Sequence, residues 1–192
     1  MLMQRISMAL ITACVMSAPL GAVSQLRLPN LKGELVDPLA RPPSARALVI
    51  VFLSVDCPIS NRYAPKLRRL HDQFSPKGVV FRLVYPNPTE STEAIRKHLS
   101  EFGYRGLALK DPRHELVARV GATVTPEAAV YDANDRLVYR GRIDDLYVHI
   151  GLQRPKATSP DLERTLAAVL AGRAVQPGTT PAVGCFIADF LR

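Results

Sequence analysis

Two hydrophobic periodicities alternate along this chain. Residues 47–53, ALVIVFL, form an unbroken apolar run with three β-branched members. Such a run predicts a strand covered on both faces, in the middle of a parallel or mixed sheet. After a short polar turn, Tyr63, Leu67, Leu70 and Phe74 recur at helical spacing and predict a helix over 61–74. The alternation then repeats. A strand over 79–85 is ended by Pro86 and Pro88, and an amphipathic helix follows over 89–102. Thr89 or Ser91 is positioned to cap that helix, with Glu90 and Glu93 in a first turn where the dipole favours acids. A short strand over 107–109 and a short helix over 115–120, closed by Gly121, come next. Strands over 128–131 and 136–142, joined by Asp132-Ala133-Asn134-Asp135, predict an antiparallel hairpin. The last third holds a Pro-bearing connector over 152–160, a helix over 161–170 capped by Asp161 or Ser159, and a Gly/Pro-rich tail. Upstream, residues 25–46 are rich in Leu, Pro and Arg, with a short leading strand near 26–29 and a turn at Lys32-Gly33. Strands alternating with helices and then a hairpin predict an α/β sandwich around a mixed sheet.

The first two dozen residues stand apart. One positive charge, Arg5, precedes an almost wholly apolar stretch of small residues over 6–23, the pattern of an export signal. Ala22-Val23-Ser24 places small residues where a signal peptidase reads, which predicts cleavage after Ser24 and a periplasmic or extracellular protein. Two alternatives stand beside it. Ile11-Thr12-Ala13-Cys14 resembles a lipoprotein box that would anchor the chain through Cys14, and an uncleaved leader would tether it to the membrane. No later segment is apolar for long enough to cross a bilayer. The expected organisation is a signal over 1–24, one domain over 25–172 and a C-terminal extension over 173–192. A chain of 192 residues, 47% hydrophobic, has enough apolar material for one core. The formal charge of +8 is scattered and the chain has no Trp, so it reads as a solvated basic surface and argues against nucleic-acid binding.

Export changes the cysteine arithmetic. With the leader removed, Cys57 and Cys185 are the two cysteines left, in a compartment that permits disulfides. Cys57 follows a buried strand and opens a helix, where unpaired backbone N–H groups favour a thiolate. Pro58 suits the first helical position because its missing N–H costs nothing there. Ser60, three residues on, is close enough to donate a hydroxyl to the sulfur. Cys185 lies in Val183-Gly184-Cys185-Phe186-Ile187, after a stretch able to fold back over the domain. If it reaches Cys57 it acts as a resolving thiol; a static disulfide, an intermolecular bridge and an unpaired buried thiol are the other readings. The histidines His71, His98, His114 and His149 show no metal-ligand spacing, and Asp144-Asp145 reads as a loop cap.

The strand VIVFLS leading into Cys57-Pro58-Ile59-Ser60, the later Val124-Thr125-Pro126 before a strand-hairpin-strand, and the closing helix resemble the thioredoxin superfamily. The resemblance is to the redoxin branch that includes alkyl hydroperoxide reductase and thiol-specific antioxidant proteins. It implies a three-layer α/β sandwich with a central mixed sheet, and a cis peptide bond at Thr125-Pro126 facing the cysteine. It further implies that Thr125 offers its backbone to an incoming peptide or thiol, with Pro58 and Pro126 shaping the same surface. Departures are visible too. Ser60 stands where a dithiol thioredoxin has its second cysteine, and Ile50 and Ser54 stand where a peroxiredoxin has proline and threonine. Arg140 or Arg142, on one face of their predicted strand, would steady a thiolate or peroxide as arginine does in that family; surface solvation is the competing reading.

Two function classes follow. The first is an exported thiol oxidoreductase acting on a peroxide or a protein disulfide. Here Cys57 is the nucleophile, Ser54 and Ser60 donate hydroxyls, and Arg142 assists. Cys185 resolves, an external thiol is the reductant and no cofactor is bound. The second is a non-catalytic binding module or a metal-delivery protein like the copper chaperones that share the fold, although a second nearby thiol and a histidine beside the cis-proline position are missing.

Overall fold

The structure, a computed structural model, describes residues 26–188, so the expected export segment and Cys14 lie outside the described residues. A short antiparallel hairpin of β1 (Leu28–Pro29) and β2 (Leu35–Val36) opens the fold. Then come β3 (Ala47–Phe52), α1 (Pro58–Phe74), β4 (Val79–Tyr85), α2 (Thr92–Phe102), β5 (Leu107–Lys110) and α3 (Glu115–Val120). The second half runs β6 (Val124–Thr125), β7 (Glu127–Asp132), β8 (Leu137–Gly141), β9 (Tyr147–His149), β10 (Leu152–Gln153), α4 (Asp161–Leu170) and β11 (Cys185–Phe186).

Five strands form the central sheet in the order β5-β4-β3-β7-β8. β3, β4 and β5 are parallel, whereas β7 and β8 run antiparallel to their neighbours, which makes the sheet mixed. The apolar run in β3 is buried along its whole length, and its alternation divides the core. Val49 and Val51 pack with α1, Ile95 of α2 and Leu162 and Leu166 of α4. Leu48, Ile50 and Phe52 pack on the opposite face with Leu28 and with Leu116, Val117 and Val120 of α3. The chain is therefore a three-layer, thioredoxin-like α/β sandwich.

Details at element ends differ from the sequence reading for local reasons. α1 starts at Pro58, because Cys57 itself serves as N-cap and accepts from the Ser60 N–H. Ser91 caps α2, so Glu90 lies before the helix, buried, and only Glu93 is in the first turn. Neither Asp161 nor Ser159 caps α4; Pro160 holds that position without a side-chain bond, and Ser159 donates to Asp161 instead. The segment between β8 and α4 contains the β9–β10 hairpin, whose second strand opens the expected connector. Asp145 braces its exit by accepting from the Thr158 and Ser159 backbone N–H groups, both at 2.7 Å, and from the Thr158 hydroxyl.

The tail does not trail away from the sheet. Gly178 and Thr180 exchange backbone hydrogen bonds with Arg140 of β8, and from Cys185 the chain pairs with β6. There β11 pairs antiparallel with it, Cys185 opposite Thr125 and Phe186 opposite Val124.

Candidate active site

The end of β3 and the start of α1 place Cys57 where a thiolate is favoured. Its sulfur accepts from the Ser60 N–H at 3.5 Å, one of the unpaired donors of the first helical turn. The Thr125–Pro126 bond is cis, and in the thiol form Cys57 donates to the Thr125 carbonyl at 2.9 Å. From the other side the tail brings Cys185, whose Sγ lies 2.7 Å from Cys57 Sγ. Both are free thiols, Cys57 buried and Cys185 partly exposed.

The two thiols differ in acidity. Burial works against a Cys57 thiolate, but hydrogen bonds from the Cys185 side chain, the Ser60 backbone and side chain and the Cys185 backbone outweigh it. The Cys57 pKa consequently lies below the ordinary thiol value. Cys185 is pushed up to about 12 by burial, by its hydrogen bond to Cys57 and by the neighbouring negative charge. One proton is thus held on Cys185 and aimed at Cys57, which leaves the buried sulfur as the nucleophile.

A second layer fixes the turn before Cys57. Glu90 Oε1 accepts from the Ser54 hydroxyl at 2.6 Å and from the Val55 N–H at 2.9 Å, and burial raises the Glu90 pKa against those two bonds. Asn61 Nδ2 donates to the Val55 carbonyl at 3.3 Å, which orients Asn61 Oδ1 toward His98 Nε2 at 2.7 Å. Burial lowers the His98 pKa; a neutral ring donating from Nε2 leaves Nδ1 to accept from the Tyr85 hydroxyl at 2.9 Å. The Tyr104 hydroxyl donates to the Ser60 carbonyl at 2.6 Å.

Of the residues singled out in the sequence, Cys57, Pro58, Ser60, Thr125, Pro126 and Cys185 converge here. Two expected roles, those of Ser54 and of the arginine, need correction. Ser54 does not serve the thiol, because its hydroxyl is committed to Glu90. Ser60 keeps its expected place beside the thiol: its side chain lowers the Cys57 pKa, although less than its backbone N–H does. Arg142 is held elsewhere by Asp161, with Nε to Oδ2 at 2.7 Å, and Arg140 is turned to Glu127 and the Gly121 carbonyl. The sequence places Glu90 in a first helical turn, with no part in the thiol site, and gives Gly184 no role. A Glu two residues after the strand-ending Pro88 could have drawn attention, since the loop after β4 lies beside the end of β3 in a parallel pair. Among the described residues, no group of three or more His, Cys, Asp or Glu is placed to hold a metal ion, and no helix is long and apolar enough to cross a membrane.

A cavity of about 60 Å³ is lined by residues including Ser54, His114, Thr125 and Phe186. The family model for Redoxin matches residues 16–147. The chain belongs to the Redoxin family. Its sequence matches no curated protein. A hypothetical protein from Sinorhizobium meliloti is similar at 29% identity and TM-score 0.73, covering 84% of this chain and 89% of that one. An uncharacterized conserved protein from Geobacillus kaustophilus is similar at 30% identity and TM-score 0.71, covering 86% and 89% respectively. The fold is shared more distantly with a secreted Mycobacterium tuberculosis disulfide oxidoreductase homologous to DsbE of E. coli. That likeness is at 18% identity and TM-score 0.54, over 77% of this redoxin and 96% of its neighbour. Family and fold together support thiol-based redox chemistry for this redoxin.

Proposed function

We propose that this redoxin is an exported thiol oxidoreductase that cycles between a Cys57–Cys185 dithiol and the corresponding disulfide. The observation that carries the reading is the 2.7 Å approach of a proton-holding Cys185 to a buried, acidified Cys57. The Cys57 thiolate attacks one sulfur of a substrate disulfide, forming a mixed disulfide and expelling the other sulfur as thiolate. Cys185, giving up its proton, then attacks the Cys57 sulfur; the substrate's second sulfur leaves reduced and an internal disulfide remains. An external thiol restores the dithiol. No bound cofactor enters these steps.

A disulfide suits the site better than a peroxide. The groups expected to polarise a peroxide, Ser54 and the two arginines, are committed to Glu90, Asp161, Glu127 and Gly121. Export rests on the apolar leader over 6–23, and the fold neighbour described as secreted is consistent with it.

The test is mass mapping of the protein purified from its export compartment, before and after oxidation by a disulfide or by peroxide, with free thiols trapped. A Cys57–Cys185 linkage that forms with the disulfide and is reversed by a mild thiol is the expected result. Faster formation with peroxide would assign the peroxidase instead, and a Cys57→Ser protein equal to wild type with both oxidants would remove the enzymatic reading altogether.

A further inference from the structure

Between β8 and α4 the chain leaves the body of the fold as the β9–β10 ribbon, and the base of that ribbon is firmly held. Asp144 accepts from the Tyr63 hydroxyl at 2.6 Å and from the Leu146 N–H at 2.9 Å, and its other oxygen lies 2.8 Å from Lys66 Nζ. The Arg154 N–H closes the ribbon by donating to the Leu146 carbonyl at 2.7 Å. The Tyr147 ring packs against Tyr63 with centroids 5.8 Å apart. Beyond that contact, residues 148–156 are exposed without a break. A braced base and a bare tip make a prong.

What the prong exposes is apolar. Val148 is 45% exposed, Ile150 61% and Leu152 47%, so three of the six exposed large hydrophobic side chains among the described residues fall within five positions. Scattered singly, such residues are ordinary, but clustered on a projecting element they mark a contact surface. The three do not share a face. Leu152 stands opposite His149 across the ribbon, so these two point to one side, whereas Val148, the position before His149, points to the other. Ile150 lies in the turn between the strands. A flat partner would cover one side and leave the other in water; a medium that surrounds the tip covers both.

The charge around the tip narrows the choice of medium. His149, Arg154 and Lys156 belong to the exposed run, and residues 146–160 contain no Asp or Glu. Arg154 is paired with Asp145 at the base but keeps 46% of its side chain exposed. Two copies meeting here would bring like charges together. An anionic bilayer offers an apolar layer for the tip and negative headgroups for its basic rim.

We propose that the β9–β10 hairpin is a membrane-docking prong, which sets Val148, Ile150 and Leu152 into the interfacial layer of a bilayer rich in anionic lipid. This contact is separate from the apolar leader and from the thiol chemistry. Asp144 ties the ribbon to Tyr63 of α1, the helix that Cys57 caps, so the docked protein carries its thiol pair at a fixed offset from the lipid.

The chain has no Trp, so a single introduced Trp reports on its own position alone. The protein purified from its export compartment carries either Ile150→Trp or, as a control at another exposed aliphatic position, Leu137→Trp on β8. Each is mixed with vesicles brominated just below the headgroups, made of phosphatidylglycerol with phosphatidylcholine or of phosphatidylcholine alone. On the anionic vesicles the Ile150→Trp emission should shift to the blue and lose at least about half its intensity, as expected for a group about 5–10 Å deep. The Leu137→Trp emission should hold. In the Ile150→Trp protein, Lys156→Gln should weaken vesicle affinity about fivefold, and Val148→Ser with Leu152→Ser at least about tenfold. These positions are exposed, so unchanged melting temperatures separate lost docking from lost folding. Emission that stays unquenched, quenching equal at the two reporters or on the two kinds of vesicle, or no loss in the variants would overturn the proposal. An increase in size by light scattering that needs Val148 and Leu152 but no vesicle would make the ribbon an interface between copies and overturn it too. Cys57 should react with an aryl disulfide at the same rate in all these proteins; failure of that reaction in the wild type would remove the redox reading and leave the prong standing.

Discussion

Cys185 Sγ lies 2.7 Å from Cys57 Sγ across 128 residues of chain, in a register that sets Cys185 opposite Thr125. The thiol that hydrogen-bonds to the Cys57 sulfur is also the group that can replace a substrate on it. Two jobs therefore fall to one side chain, stabilising the thiolate before reaction and resolving the mixed disulfide after it.

The first job gives a pH signature. Cys57 titrates below an ordinary thiol because Cys185 and Ser60 hydrogen-bond to the thiolate more strongly than burial opposes it. Loss of the Cys185 donor disfavours the thiolate, so Cys185→Ala should move the midpoint of Cys57 alkylation upward. The check is the rate of iodoacetamide labelling at Cys57 from pH 5 to 10, resolved by mass mapping. An unchanged midpoint would mean that the helix start alone sets the acidity.

Glu90 should act on stability through the turn it holds. Its folded pKa is raised, first by burial, so the folded state retains a proton that the unfolded chain releases near the ordinary Glu value. Stability present at low pH is lost as pH rises through the folded pKa. Glu90→Gln keeps an acceptor for Ser54 and Val55 without ionising, so its melting temperature should gain on wild type from about pH 4 toward pH 7. Glu90→Ala leaves both donors without that acceptor and should be about 1–2 kcal/mol less stable than Glu90→Gln at any pH. Thermal melts of the three proteins across that range separate the two effects.

Much of this was legible in the chain. The run at 47–53 could only be a strand covered on both faces, and the helical spacing from Tyr63 to Phe74 announced the element that Cys57 caps. Which way a polar side chain turns was not legible. Ser54 and Arg142 sit within a few residues of where a helper would be expected, but Glu90 and Asp161, 36 and 19 residues away, claim them. Those partners come from other elements and leave no local periodicity. Gly184 was equally silent, because the atom that a Cβ there would strike, the Thr125 carbonyl oxygen at 2.2 Å, belongs to a different strand.

Arg142 gives a direct check on that correction. It neutralises Asp161, a carboxylate only 3% exposed at its side chain, with Arg164 as second partner at 2.5 Å. Arg142→Ala should lower stability by about 1 kcal/mol, since Arg164 remains. The rate of Cys57 alkylation should be unchanged. A fall in that rate without a fall in melting temperature would return Arg142 to the thiol site.

Gly141 sets how firmly the tail is anchored before it reaches the thiol. Its φ of +151° is one that L side chains rarely adopt, and an added Cβ would meet the Thr180 carbonyl and hydroxyl oxygens, both at 2.3 Å. Gly141→Ala should therefore release Thr180 from β8 and cost about 1–3 kcal/mol. Cys185 would then close on Cys57 from a longer, looser tether, and its effective concentration would drop. Stopped-flow oxidation of the reduced variant should show the internal disulfide forming about tenfold more slowly than in wild type, while the initial attack by Cys57 keeps its rate. If both steps slowed together, the anchor would be supporting the Cys57 turn itself and not only the delivery of Cys185.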